Sequence, residues 1–99
     1  CLGLEPKMIF DLLSNGAGQS KMSDLRMPLM IDGAYEPPTA NMTIAEKDIS
    51  VISADIKSNN CYTPLFDASQ KLYDIAYKNV PITYDTAAVY EVYRQKLVT

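Results

Sequence analysis

Apolar residues that return every three or four positions commit a chain to helix, and this sequence does so most clearly over residues 43–57. Ala45, Ile49, Ile52 and Ile56 recur at spacings of four, three and four, so they share one face. Ile44, Val51 and Asp55 form a second row beside that stripe, and Asp48 falls on this row at the edge of the surface expected to be buried. Thr43 and Glu46 have the spacing of a capping box. In that arrangement the Thr hydroxyl accepts from the amide of residue 46, and the Glu carboxylate reaches back to the amide of residue 43. Lys47 sits near the positive end of the helix dipole, where a cation gains nothing. Lys47 and Asp48 therefore read either as a surface ion pair, which contributes little, or as polar groups with a chemical role.

The remaining segments are helical too. Glu5-Pro6 opens a first helix, with proline in a first-turn position it tolerates. Met8, Ile9, Leu12 and Leu13 supply its apolar face, and Ser14-Asn15-Gly16 ends it. Before it, Cys1-Leu2-Gly3-Leu4 reads as the end of an earlier helix followed by a turn at Gly3. Gly16-Ala17-Gly18-Gln19-Ser20 is a small-residue loop; without a following Lys-Ser/Thr or a preceding strand it reads as a joint rather than a phosphate cradle. Ser20 can cap a second, methionine-rich helix, which Pro28 should kink or break. Residues 32–41 are irregular, with Pro37-Pro38 favouring an extended path. Thr63-Pro64 caps and starts a helix reaching about residue 78, with Leu65, Ala68, Leu72, Ile75 and Ala76 on one face and Phe66, Tyr73 and Tyr77 on the next. Asp85 can cap a last helix running to about residue 97, with Ala88, Val89, Val92, Tyr93 and Leu97 inward. No segment alternates apolar and polar residues as a strand would, so the chain is expected to be all-α, with about five helices.

Composition narrows the function. With 99 residues the chain makes one small domain, residues 1–99. A net charge of −3 with scattered Lys and Arg speaks against nucleic acid. No apolar run approaches the roughly 20 residues of a membrane span. Cys1 and Cys61 make no disulfide framework or zinc pattern, so no metal site is expected and a reducing, cytoplasmic setting is the default. The chain has no histidine, the commonest general base.

Four motifs stand in register with a known family. Gly3-Leu4-Glu5-Pro6, Gly16-Ala17-Gly18-Gln19-Ser20, Lys47-Asp48-Ile49 and Asp85-Thr86-Ala87-Ala88-Val89-Tyr90 have the order and spacing of one C-terminal domain. Over essentially its whole length the chain resembles the C-terminal helical domain of the β-hydroxyacid dehydrogenases, the 3-hydroxyisobutyrate dehydrogenase-like family. Thr63-Pro64-Leu65 also fits the proline-led helix that follows the Lys-Asp helix there.

The resemblance implies a fold like the C-terminal domain of 6-phosphogluconate dehydrogenase-like enzymes. It also implies a parent with an N-terminal Rossmann domain and a linking helix, both absent from this chain. In the family that helix carries the catalytic lysine in a Gly-x-x-x-Asn-x-x-Lys pattern. Lys7, Lys21 and Lys47 do not match it, so no catalytic residue is assigned and the family lysine is expected before Cys1. Carried over by position, Lys47 corresponds to the lysine that contacts the dinucleotide, and Asp48 to the aspartate of the substrate pocket. Ala40 stands where members often have Phe, and Lys21 where many have Trp. The implied activity interconverts a small 3-hydroxy acid and its semialdehyde or keto acid with NAD or NADP, in a homo-oligomer, with this chain inactive alone. The alternative is a stand-alone helical dimerisation or interaction module without catalytic activity.

Overall fold

A computed structural model describes residues 2–97, and all its regular elements are helical, apart from one isolated antiparallel bridge between Asn41 and Asp85. Five α-helices follow in order: α1 Pro6–Ser14, α2 Lys21–Asp32, α3 Met42–Ser58, α4 Pro64–Asn79 and α5 Tyr90–Arg94. A 3-10 turn, Thr86–Val89, leads directly into α5. The turn expected at Gly3 is present, with Gly3 left-handed at φ 70°, whereas Cys1 lies outside the described residues.

The joints follow the local chemistry of their residues. Pro6 occupies the first turn of α1, and the Asn15 side chain donates to the Asp11 carbonyl at 2.8 Å to close it. The Ser20 hydroxyl accepts from the Ser23 amide at 3.0 Å and starts α2. Of the kink or break expected at Pro28, the break does not occur: α2 runs through it from Lys21 to Asp32. A proline inside a helix removes one amide and so orphans one carbonyl four residues back. That carbonyl belongs to Asp24, which is exposed, so water can serve it. Gly33 then ends α2 at φ 63°, and the Ala34 amide donates back to the Leu29 carbonyl at 3.1 Å.

The start of α3 corrects the capping-box reading. Asn41 is the cap, its side-chain oxygen accepting from the Ile44 amide at 3.0 Å, while Thr43 is exposed inside the first turn. Asn and Thr both make good caps, so the choice is made by tertiary contacts. The Met42 amide donates to the Tyr84 carbonyl at 3.0 Å and the Thr86 amide to the Ala40 carbonyl at 2.9 Å, which fixes the entry at residue 41. The inward stripe is correspondingly Met42, Ala45, Ile49, Ser53 and Ile56, with Met42 and Ser53 buried. Ile52, expected inside, is 46% exposed.

The cap expected from Thr63 is also absent: its hydroxyl faces the Asp67 carboxylate at 3.3 Å and accepts from no backbone amide. In α4 only the C-terminal half turns inward; Ala76 is fully buried, whereas Leu65 is 84% exposed. Asp85 caps the 3-10 turn as expected, and α5 stops at Arg94 rather than at residue 97. Tyr93 lies outside and Leu97 still packs on the core.

The core gathers around the 3-10 turn. Tyr35, Met42, Ala76, Val80, Ala87, Ala88 and Val92 form it, with Leu29, Met30, Leu72 and Ile75 packed against it. Small residues at 87 and 88 let the turn enter between the helices. By contrast α1 packs chiefly on α2, and Met8 and Leu12, read as inward, are 65% and 77% exposed. An amphipathic pattern marks a face to be covered, and among the described residues little covers this one.

Candidate functional site

Asp48 lies in the second turn of α3 and lines a cleft of about 500 Å³ between α2, α3 and α4. Arg26 of α2, Ser69, Gln70 and Tyr73 of α4, and Thr86 line it too, over a largely apolar wall. Ligand sites of roughly 300–1,000 Å³ with a few convergent polar groups are of this kind. A second groove, about 380 Å³, lies along α1 and α2, but its lining is almost wholly aliphatic and carries no acid or base other than Tyr90. A third pocket, about 440 Å³ between α3 and α4, carries Lys57, Cys61, Asp67, Lys71 and Asp74 but has a mainly polar lining, whereas the Asp48 cleft sets a few polar groups in an apolar wall and is therefore the candidate site.

Lys47 is exposed and does not line the cleft. Consecutive residues of a helix point about 100° apart, so of these two exposed side chains Asp48 lines the cleft and Lys47 does not. That geometry also removes the ion-pair reading, since neighbours at i and i+1 do not face each other. The ion pairs among the described residues are Arg26–Asp85 and Glu91–Arg94, and Lys47 is in neither.

The floor beneath the cleft holds a buried carboxylate. Asp85 is fully buried. Its Oδ2 accepts from the Thr39 amide at 3.0 Å and the Thr39 hydroxyl at 2.9 Å, and its Oδ1 from the Ala87 amide at 2.9 Å. The Arg26 Nε lies 3.3 Å from Oδ1 and donates to Thr86 Oγ1 at 2.9 Å. Burial alone would push the Asp85 carboxyl up, but the hydrogen bonds from Ala87, Thr39 and Ala40 outweigh it and hold the group below the usual carboxylate range. Asp85 thus ties the residue 39–40 segment, the 3-10 turn and α2 together at one point, which sets the wall from which Arg26 projects.

Burial also raises the Tyr73 hydroxyl, with Arg26 opposing and Asp85 reinforcing the shift. Tyr35 and Tyr77 are each pushed up to about 12, first by burial, then by the charges of Glu91 and Glu46 respectively. Among the described residues the Tyr77 hydroxyl has no hydrogen-bond partner. Glu46 thus spends its charge near Tyr77 and makes no capping bond.

Comparison with known proteins adds one result. The model of a family described as the NAD-binding domain of NADP-dependent 3-hydroxyisobutyrate dehydrogenase matches residues 1–93. The chain belongs to this family. No curated protein matches it. Membership makes NAD(P) the cofactor and the parent enzyme a dehydrogenase.

In this family member, the residues suited to a dinucleotide are not the glycines. A Cβ on Gly18 would meet only the tip of the Leu13 side chain, at 2.7 Å, which can move aside. The Gln19 amide is committed to the Gly16 carbonyl, and the Asp24 carboxylate receives Gln19 Nε2 at 2.8 Å. A phosphate would meet a carboxylate there. Lys47 fits the group better, being an exposed cation with three donors and no carboxylate bound to it. Asp48, in the cleft below it, offers an acceptor for a substrate hydroxyl. No set of three or more His, Cys, Asp or Glu able to hold a metal ion occurs among the described residues. No helix there is long and apolar enough to cross a membrane.

Arg26 was not visible in the sequence reading, and Asp85 was read only as a cap. The signal for Arg26 was present: it lies four residues after Met22 and three before Leu29, a cation on an otherwise apolar row of α2.

Proposed function

We propose that this chain is the C-terminal, substrate-side helical domain of an NAD(P)-dependent β-hydroxyacid dehydrogenase. The parent would interconvert a small 3-hydroxy acid and its semialdehyde or keto acid. Family membership and the all-α architecture support the reading, and the observation that carries it is the divergence of Lys47 and Asp48. Among the described residues Lys47 is an exposed cation in no ion pair, and Asp48, next to it in sequence, lines the cleft.

On this reading Lys47 donates to the dinucleotide where its surface faces the cleft mouth, and Asp48 accepts from the substrate hydroxyl and holds its orientation. The apolar wall excludes water from the carbon that reacts. NAD(P) supplies the hydride acceptor or donor. The family resemblance puts the general base on the lysine of the linking helix, outside this domain. The exposed apolar row of α1, with Met8 and Leu12, suits assembly into a homo-oligomer or coverage by that helix. The same row is what favours the rival reading, an interaction module without activity.

Substitution of Asp48 tests the reading. In the full-length enzyme Asp48→Asn should lower kcat/KM for 3-hydroxy acids by about ten- to a hundredfold, the worth of one hydrogen bond to a charged group. The dissociation constant of the cofactor should stay unchanged. Unaltered kcat/KM across short 3-hydroxy acids would remove Asp48 from the substrate site.

A further inference from the structure

The cleft lined by Asp48 is uneven along its length. Phe66, Ser69, Gln70 and Tyr73 share one face of α4 and span roughly 10 Å of it, at 1.5 Å of rise per residue. Arg26 and Thr86, joined at 2.9 Å, belong to the Tyr73 end, where the Arg26 charge acts on the Tyr73 hydroxyl. Toward Phe66 the polar groups are already committed. The Ser69 hydroxyl donates to the Leu65 carbonyl of its own helix at 2.9 Å, and Gln70 Oε1 accepts from the Ser53 hydroxyl at 3.5 Å. From α3, Ile44, Ala45 and Ile49 line the same cleft. Ile44 and Ala45 stand one turn before Asp48, about 5–6 Å away between Cβ atoms, so a group held at Asp48 has hydrocarbon beside it. The volume also exceeds the needs of a four-carbon acid. A cavity of about 150 Å³ holds benzene, roughly 25 Å³ per heavy atom. At that rate 3-hydroxyisobutyrate, with its seven heavy atoms, takes about 175 Å³, and a nicotinamide ring with its carboxamide about 225 Å³. The cleft of about 500 Å³ keeps about 100 Å³ beyond both, room for about four more carbons.

We propose that this room receives an apolar substituent on carbon 2 of the substrate, so that the parent acts on 3-hydroxy acids carrying an alkyl chain of about four carbons there. This rests on reading the Asp48 cleft as the substrate site, and enlarges the acid which that site takes. With the hydroxyl held at Asp48, the chain lies against the Ile44, Ala45 and Phe66 side of the cleft. Each methylene taken out of water there should tighten binding about fourfold. A hydroxyl or a charge on the same chain would lose its water and find no free partner beside Phe66, where Ser69 is committed to Leu65. The small side chains of Ala45 and Ser69 leave this side open, and a larger residue at either position would fill it.

The test uses the full-length enzyme with NAD(P) and a series of 2-alkyl-3-hydroxypropanoates running from methyl to butyl. In the wild type kcat/KM should rise about fourfold with each added methylene, on the order of fiftyfold from methyl to butyl. Ser69→Leu fills the cleft from an exposed position, and leucine is the better helix former, so the fold is kept. In that variant the butyl-to-methyl ratio should fall below about fourfold. A flat or falling series in the wild type overturns the proposal without any variant, and so does a ratio that survives Ser69→Leu. Ligand-observed NMR titration of isobutyrate and 2-methylhexanoate, which carry no hydroxyl to oxidise, separates the two readings. Oxidation of 3-hydroxyisobutyrate with equal binding of the two acids removes the alkyl pocket and leaves the dehydrogenase assignment standing. Tighter binding of 2-methylhexanoate that Ser69→Leu abolishes, without oxidation of any 3-hydroxy acid, does the reverse.

Discussion

Removing the Asp85 carboxylate should cost this domain about 3 kcal/mol. Asp85→Ala strips the acceptor from the Ala87 amide, which is buried, and from the Thr39 amide and hydroxyl, and it removes the neighbour of the Arg26 guanidinium. A buried orphaned amide costs about 1–3 kcal/mol and a lost cap about 1 kcal/mol. Breaking a buried ion pair reaches about 3–5 kcal/mol when the surviving charge is stranded. Arg26 keeps some access to water, which sets the expectation at the lower end. Because hydrogen bonds from Thr39 and Ala87 hold the carboxylate and Arg26 contributes only an ion pair, Arg26→Gln should cost less than Asp85→Ala. Urea unfolding followed by far-UV circular dichroism measures both. The pH dependence has a definite sign. The folded Asp85 carboxyl is held below its ordinary value of about 3.9, so the unfolded chain binds the proton first. The stabilisation is complete above that value and is lost as pH falls through the folded one, so wild type and Asp85→Ala should converge in acid. A cost under about 1 kcal/mol at neutral pH, or a larger loss from Arg26→Gln than from Asp85→Ala, would refute the reasoning.

Two further outcomes follow from local chemistry. Asn41→Ala should destabilise by about 1 kcal/mol through loss of the α3 cap, whereas Thr43→Ala should change stability by less than about 0.5 kcal/mol, and thermal unfolding of the pair distinguishes them. Tyr35 and Tyr77 ionise near 12 when folded and near 10 when unfolded, so the folded state holds their protons more tightly. Stability is therefore full below about pH 10 and falls by about 1.4 kcal/mol per pH unit for each group between there and 12. Tyrosinate absorbance should rise together with loss of helix, and ionisation of all tyrosines near 10 with the helices intact would contradict the burial argument.

The helical class and the positions of the joints were legible because they depend on neighbours in sequence. Pro6, Pro64 and Gly3 act through their own backbone, and the period of apolar residues needs no partner to be read. The start of α3 was not legible in the same way. Asn41 and Thr43 compete with nearly equal local merit, and the Met42–Tyr84 and Ala40–Thr86 hydrogen bonds decide between them across more than 40 positions of chain. Inwardness was overread on α1 and at Leu65 because amphipathicity records that a face wants cover, not where the cover comes from. At the candidate site, Lys47 and Asp48 are singled out by the family resemblance, and that only Asp48 lines the cleft follows from helical geometry. Arg26 escaped because its meaning depends on Asp85, 59 positions away, and on a cleft that only packing creates.

The central claim is that this domain holds the NAD(P)-bound substrate complex between the exposed Lys47 and Asp48 in the cleft, and cofactor titration of the full-length enzyme tests it most directly. Fluorescence titration of the reduced dinucleotide compares wild type with Lys47→Ala. Lys47 lies off the inward stripe of α3, so the fold should be unaffected. Loss of a charge-assisted hydrogen bond worth roughly 1.5–3 kcal/mol predicts a dissociation constant about ten- to a hundredfold higher. Equal dissociation constants in the two proteins would contradict the account and return Lys47 to an ordinary solvated surface.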